Sequence, residues 1–122
     1  MSHPADAWRD ELRRRLLTAR KQRDSVSVSA LRTTLSAIDN AETPDAVPTA
    51  GSAGPVAGAV EGLGAAEVPR KRLADTELRA VVQAEVDERL AAADEMAAGG
   101  YPERAAALHT EAAIIVDLLA AR

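Results

Sequence analysis

The chain has 122 residues, a formal net charge of −4 and no cysteine. This length suits one small domain, and the lack of cysteine excludes disulfides, thiolate zinc sites and thiol nucleophiles. Only Trp8 and Tyr101 are aromatic, whereas alanine is abundant. Alanine favours helices, and strands are rich in aromatic and β-branched residues. The composition therefore predicts an all-α protein with a single core.

Charge is distributed unevenly along the chain. Residues 1–40 carry eight Lys/Arg against five Asp/Glu, whereas residues 73–122 carry four against ten. The first part can therefore approach a polyanion that the second part would repel. No apolar run approaches the roughly 20 residues that cross a bilayer, and the amino terminus shows no signal-peptide hydrophobic region. We therefore expect a cytoplasmic protein.

The first helix is predicted over residues 6–23. Apolar residues three or four positions apart form its buried face: Trp8, Leu12, Leu16 and Ala19. The remaining surface is polar and carries the five basic residues Arg9, Arg13, Arg14, Arg20 and Lys21. Because such side chains neutralise phosphates, this basic face is a candidate nucleic-acid-binding surface.

The second helix is predicted over residues 25–42, "SVSVSALRTTLSAIDNAE". Its opening alternates like a strand, but a strand would separate Leu31 from the preceding valines. A helix instead gathers one apolar stripe: Val28, Leu31, Leu35 and Ile38. Asp24 or Ser25 can cap the amino-terminal end, and Pro44 stops the helix.

Residues 43–69 are predicted to form a long, mobile linker. They contain five of the seven glycines and four of the six prolines, and they lack a helical period. A basic cluster follows, formed by Arg70, Lys71 and Arg72. It has two interpretations, a solvated start of the next helix or a nucleic-acid contact.

Two further helices are predicted over residues 75–98 and 102–121. Gly99 and Gly100 suit the end of the third helix, and Pro102 suits the first turn of the fourth. The fourth helix is apolar on two sides, and Ile114 and Leu118 belong to its second stripe. Such a helix either lies between neighbours or meets a partner. Ile114 and Leu118 are accordingly a candidate partner interface. The expected fold is a four-helix bundle-like domain.

Charged residues also lie at or beside the predicted apolar stripes. Glu85 and Arg89 are four residues apart, which allows them to pair. Arg32 lies at the margin of the second helix stripe, on the same side as Asp39. These four residues are predicted to form a structural ion-pair network between the second and third helices, with a ligand site as the alternative.

The sequence shows no catalytic constellation. His3 and His109 are isolated, and no lysine followed by serine or threonine accompanies the glycines as in a phosphate-binding loop. The carboxylates of the third helix have only the spacing of a solvated face. We therefore expect no catalytic residue, no metal and no cofactor.

Several short motifs occur in an order that resembles the GatB/YqeY family. They are the basic-x-Arg-Asp turn at residues 21–24, "ALR" at 30–32, "IxNxE" at 38–42 and "ExxxR" at 85–89. The resemblance spans nearly the whole chain and identifies it as similar to free-standing YqeY-like proteins and to the tail domain of the aspartyl/glutamyl-tRNA amidotransferase B subunit. Longer members continue into a carboxy-terminal subdomain, so the resemblance is to a short form.

The resemblance implies an all-helical accessory module that binds tRNA or other RNA, or an amidotransferase subunit. It also carries a family label of carbon–nitrogen ligase activity with glutamine as amide donor, as a minor alternative. Asp39 and Tyr101 stand where relatives often have basic residues, which lowers the positive potential. The main alternative is a protein–protein interaction or homo-oligomeric assembly protein that uses the fourth helix and has no nucleic-acid role.

Overall fold

The computed structural model describes residues 3–44 and 69–122, which form four helices and no strand. The helices are α1 (Pro4–Lys21), α2 (Ser25–Ala41), α3 (Asp75–Ala98) and α4 (Pro102–Ala121). The predicted all-α, four-helix fold is confirmed. Helix α1 begins and ends two residues earlier than predicted, because Pro4 suits the first turn of a helix. The predicted linker lies, over residues 45–68, outside the described residues.

The core is built from one apolar face of each helix. Helix α2 contacts α1, α3 and α4, and α3 packs along α4. The largest fully buried side chains include Trp8 and Leu12 of α1, Ile38 of α2, and Ile115 of α4. Burial of each such side chain stabilises the fold by about 1.5–3 kcal/mol.

Helix α4 lies between two neighbours, α2 and α3. Leu118 is 0% exposed, and Ile114 is partly buried against the same core. Leu118 is therefore not available to a partner, and the predicted partner interface is wrong at this residue. Ile114 also lines an open cleft, so its part of the interface stays a prediction. Helix α4 is apolar on two sides because it packs between two other helices.

Trp8 connects α1 to the amino-terminal end of α3. Its indole nitrogen donates to a carboxylate oxygen of Asp75 at 2.8 Å. The guanidinium groups of Arg79 and Arg122 lie 5.7 Å and 5.3 Å from the ring centroid, within the range of cation–π attraction. The buried ring thus has a partner for its polar atom and cations beside its π-system.

The turns after α1 and after α3 have the same hydrogen-bond pattern. After α1, Arg23 N donates to Arg20 O at 3.1 Å and Asp24 N to Ala19 O at 2.9 Å. After α3 the corresponding bonds are Gly100 N to Ala97 O at 3.2 Å and Tyr101 N to Met96 O at 2.8 Å. Both are Schellman motifs, which require a left-handed residue after the helix end. That residue is Gly100 in one turn (φ 87°) and Arg23 in the other (φ 56°).

Asp24 caps α2, as one of the two predicted candidates. Its carboxylate accepts from the Ser27 hydroxyl at 2.6 Å and from the Ser27 backbone amide at 3.1 Å. These bonds lower the pKa of Asp24 below its usual value, and the bond from the Ser27 hydroxyl has the largest effect. The turn therefore ends one helix and starts the next with only three residues between them.

The buried ion pairs differ from the predicted network. Arg89, 9% exposed, binds Glu85 at 3.1 Å and Glu111 of α4 at 2.9 Å. The expected Glu85–Arg89 pair is thus present, but the residue that joins this pair from a neighbouring helix is Glu111. Asp39 instead pairs with Arg9, and Arg32 is exposed and makes no ion pair with a described residue. The predicted four-residue network is wrong because Arg89 reaches α4 and not α2.

Candidate nucleic-acid interface

Several of the predicted basic residues are neutralised within the chain. Arg9 binds Asp39 at 2.8 Å and also pairs with Glu42. Burial opposes protonation of Arg9, but the hydrogen bonds to Glu42 and Asp39 outweigh it and raise the pKa of Arg9. Arg14 pairs with Glu11. Arg9 thus connects α1 to the end of α2, and its charge is already paired within the chain.

Other cations on α1, on α2 and in the turn between them are exposed and have no ion pair with any described residue. They are Arg13, Arg20, Lys21, Arg23 and Arg32. An unpaired, solvated cation can exchange water and counterions for a phosphate without first breaking an internal bond. These five residues therefore supply the positive charge that the described part of α1 and α2 can offer to a ligand.

Three of these cations line one open groove between α1 and α2. The groove has a volume of about 830 Å³ and is lined by Arg20, Arg23, Ser25, Val28, Ser29, Arg32, Thr33 and Ser36. The Schellman turn creates this arrangement, because it folds α2 back along α1 and places Arg23 between them. Arg20 comes from the last turn of α1, and Arg32 from the second turn of α2.

The serines of the groove also lack protein partners. Ser25, Ser29 and Ser36 make no side-chain hydrogen bond to a described residue. Thr33, by contrast, donates to the Ser29 carbonyl at 2.9 Å. Guanidinium groups and hydroxyls that point to solvent are therefore concentrated on the same surface. This combination suits a ligand with closely spaced phosphate and hydroxyl groups.

The basic cluster at residues 70–72 lies elsewhere. Arg70 is 3.5 Å from the carboxylate of Glu42, and the Lys71 backbone amide donates to the Glu42 carbonyl at 2.9 Å. Glu42 follows the carboxy-terminal end of α2, whereas the groove begins at its amino-terminal end. Arg72, the third residue of this cluster, is exposed. The structure therefore does not bring the cluster into the groove.

A second cleft lies between α1, α2 and α4. It has a volume of about 580 Å³, and its lining includes Glu11, Arg14, Arg15 and Asp117. These charges pair with one another: Arg15 binds Glu11 at 2.7 Å and Asp117 at 2.8 Å. Asp24 also lines this cleft, which gives three carboxylates against two guanidinium groups. The second cleft therefore offers no unpaired cation to a ligand, in contrast to the groove.

Part of this site can be predicted from the sequence. The sequence predicts Arg20 on a nucleic-acid surface and Arg32 in an ion-pair network. It places Arg23 in the basic-x-Arg-Asp turn at residues 21–24 without giving it a binding role. The groove itself depends on how α1 and α2 pack against each other, and the residue pattern of one helix does not predict that packing.

Comparisons of the chain with protein-family models, curated proteins and solved structures found no match.

Within residues 3–44 and 69–122, no group of three or more acidic or histidine side chains is placed to hold a metal ion. The helices of that same part are too short or too polar to cross a membrane.

Proposed function

We propose that this chain is a non-catalytic accessory module that binds RNA through the groove between α1 and α2. The observation that carries the proposal is the grouping of Arg20, Arg23 and Arg32 on one open surface without acidic partners among the described residues. Guanidinium groups bind phosphate oxygens in a bidentate manner. Three of them in one groove suit a polyphosphate backbone.

The backbone of Arg23 supports the same proposal. A left-handed conformation costs a residue with a side chain roughly 1–2 kcal/mol, and glycine avoids this cost in the turn after α3. Strained residues of this kind cluster at functional sites. An arginine at φ 56° therefore supports a binding role for the charge of Arg23.

The resemblance to the GatB/YqeY family suggests which RNA to test first. It implies tRNA as the ligand and an amidotransferase subunit as the protein partner. The internally paired arginines of the second cleft and the buried Leu118 of α4 provide less support for a protein partner than the groove provides for RNA.

A mobility-shift titration with tRNA at about 50 mM and about 200 mM salt tests the proposal. We expect binding at low salt that weakens as salt rises. The variant R20A/R23A/R32A should lower the affinity at least tenfold and reduce the salt slope by about one for each lost phosphate contact.

Arg104→Ala is the matched control, because Arg104 is exposed on α4 and makes no ion pair with a described residue. This variant should bind tRNA like the unmodified chain. Absence of binding at low salt, or an equal loss in the Arg104 control, would contradict the proposal.

A further inference from the structure

We infer that the groove recognises the backbone of an RNA duplex, with its arginines on phosphates and its serines on 2′-hydroxyl groups. This inference rests on the proposed function and adds the chemical class of the ligand. It follows from which hydrogen-bonding groups line the groove, from their order along α2, and from the position of the two aromatic residues.

The groove contains two kinds of polar group. Arginine only donates hydrogen bonds, whereas a serine hydroxyl both donates and accepts. A phosphate only accepts, so arginines alone suffice for the phosphates of DNA and RNA equally. A 2′-hydroxyl both donates and accepts, and it is present only in RNA. Serines without protein partners, placed between arginines, therefore match the backbone of RNA better than that of DNA.

The order of these groups along α2 matches an extended ligand. Ser25, Ser29, Arg32 and Ser36 follow one another at intervals of four, three and four residues, which places them along one face of the helix. At 1.5 Å per residue this row is about 16 Å long. Arg20 and Arg23 line the same groove. The row is too long for one phosphate group and suits several consecutive nucleotides.

The position of the aromatic residues favours a duplex over a single strand. Binding of single strands generally relies on bases that stack on aromatic side chains. The sequence has two aromatic residues, and neither lines the groove: Trp8 is fully buried, and Tyr101 precedes α4. An RNA duplex keeps its bases stacked inside and presents 2′-hydroxyls in a wide, shallow minor groove. A helix face with serines and arginines can contact that surface without opening the base pairs.

Three ligands of equal length test the inference with the full chain: an RNA hairpin, the DNA hairpin of the same sequence, and an RNA whose sequence cannot form base pairs. We expect the RNA hairpin to bind at least fivefold more tightly than either of the others. The variant S29A/S36A should lower the affinity for the RNA hairpin about five- to tenfold, as for the loss of one or two hydrogen bonds. Its affinity for the DNA hairpin should not change.

Thr110→Ala is the matched control for loss of a hydroxyl. Thr110 is exposed on α4, and its hydroxyl donates within the helix to Ala106 O at 3.1 Å. The control should bind all three ligands as the unmodified chain does. Circular dichroism of each variant establishes that the helices are retained.

The outcomes separate this inference from the proposed function. Equal affinity for the RNA and DNA hairpins, tighter binding of the single strand, or an unaffected S29A/S36A variant would overturn the inference. If R20A/R23A/R32A still lost affinity in that case, the proposed function would stand. Failure of all three nucleic acids and of tRNA to bind at low salt would overturn both.

Discussion

The α1–α2 hairpin and the α3–α4 hairpin have the same turn geometry but differ in how their arginines are placed. In the α3–α4 hairpin the left-handed position is a glycine, and the buried Arg89 is neutralised by two carboxylates. In the α1–α2 hairpin the left-handed position is Arg23, and the nearby Arg20 and Arg32 have no acidic partner among the described residues. The α3–α4 hairpin neutralises its buried arginine internally. The α1–α2 hairpin presents the three groove arginines to solvent.

This difference indicates where the chain can be changed without loss of the fold. Substitutions in the α3–α4 hairpin should act mainly on the free energy of unfolding. Substitutions around the groove should act mainly on binding and should leave stability nearly unchanged or improve it. The following variants test this division, from the largest expected effect to the smallest.

Arg89→Met should lower the free energy of unfolding by about 3–5 kcal/mol, because it leaves the buried Glu111 and the partly buried Glu85 without their cation. Arg32→Met is the matched substitution in the other hairpin. It should change stability by less than about 0.5 kcal/mol, since Arg32 is exposed. Urea unfolding followed by circular dichroism measures both values.

A second substitution checks the cause of the Arg89 effect. Glu111→Gln in the Arg89→Met background removes one uncompensated charge and should recover part of the lost stability. If Arg89→Met were as stable as the unmodified chain, the ion pairs would not be required for packing of α3 against α4, and the proposed division between the hairpins would be incorrect.

Gly100→Ala should destabilise the chain by about 1–2 kcal/mol, the cost of a left-handed residue with a side chain. A Cβ at this position would meet no atom within 4 Å, so the expected cost comes from the backbone alone. Gly99→Ala is the comparison: Gly99 has φ −83°, so its expected cost comes from the contact of the new Cβ with the Glu95 carbonyl oxygen at 3.3 Å. It should cost less, and thermal unfolding of the two variants measures the difference.

Arg23→Gly should have the opposite sign and a smaller size. Relief of the left-handed strain is partly offset by the greater backbone entropy of glycine in the unfolded chain, so we expect a gain of up to about 1 kcal/mol. The same variant should bind tRNA several-fold more weakly. If Arg23→Gly lowered both the stability and the affinity for tRNA, the role of Arg23 would be to stabilise the turn and not to bind the ligand.

Acid should weaken the α1–α2 turn before the α3–α4 turn. The folded state lowers the pKa of Asp24, so between the folded and unfolded pKa values the unfolded state binds more protons. The stabilising effect of this carboxylate is therefore complete above pH of about 4 and is lost as pH falls through the folded-state pKa. Hydrogen exchange of the Ser27 amide should accelerate at low pH relative to that of Ala105.

Asp24→Asn should abolish this pH dependence, since an asparagine oxygen accepts the same bond without titrating. An unchanged pH profile in Asp24→Asn would assign the effect to another carboxylate. The Ala105 amide donates to the Tyr101 carbonyl, a partner that does not titrate in this range, and is therefore an internal reference.

The helices could be predicted from sequence because each is specified locally. The apolar period set the buried faces of α1 and α2, and the glycines and prolines around residue 100 fixed the end of α3 and the start of α4. The resemblance to a family supplied the expectation of RNA binding, which stays a prediction.

The site was harder to predict because it depends on pairs of helices. A helical wheel places Arg32 and Arg89 relative to their own helices, but it does not show that Arg89 meets Glu111 while Arg32 meets solvent. The same limit applies to Leu118, whose stripe is covered by a neighbouring helix. Arg9 belongs to the basic face by sequence, yet Asp39 and Glu42 reach it only because α2 folds back along α1.

The position of Trp8 gives the chain a built-in optical reporter. It is the only tryptophan, it is fully buried, and it does not line the groove. Its fluorescence should therefore change when α1 separates from α3 and should be insensitive to a ligand in the groove itself. A ligand that binds only the folded chain raises the unfolding midpoint in proportion to the logarithm of its concentration above Kd. The intrinsic emission of Trp8 can thus report affinity for unlabelled ligands without any dye attached to the protein.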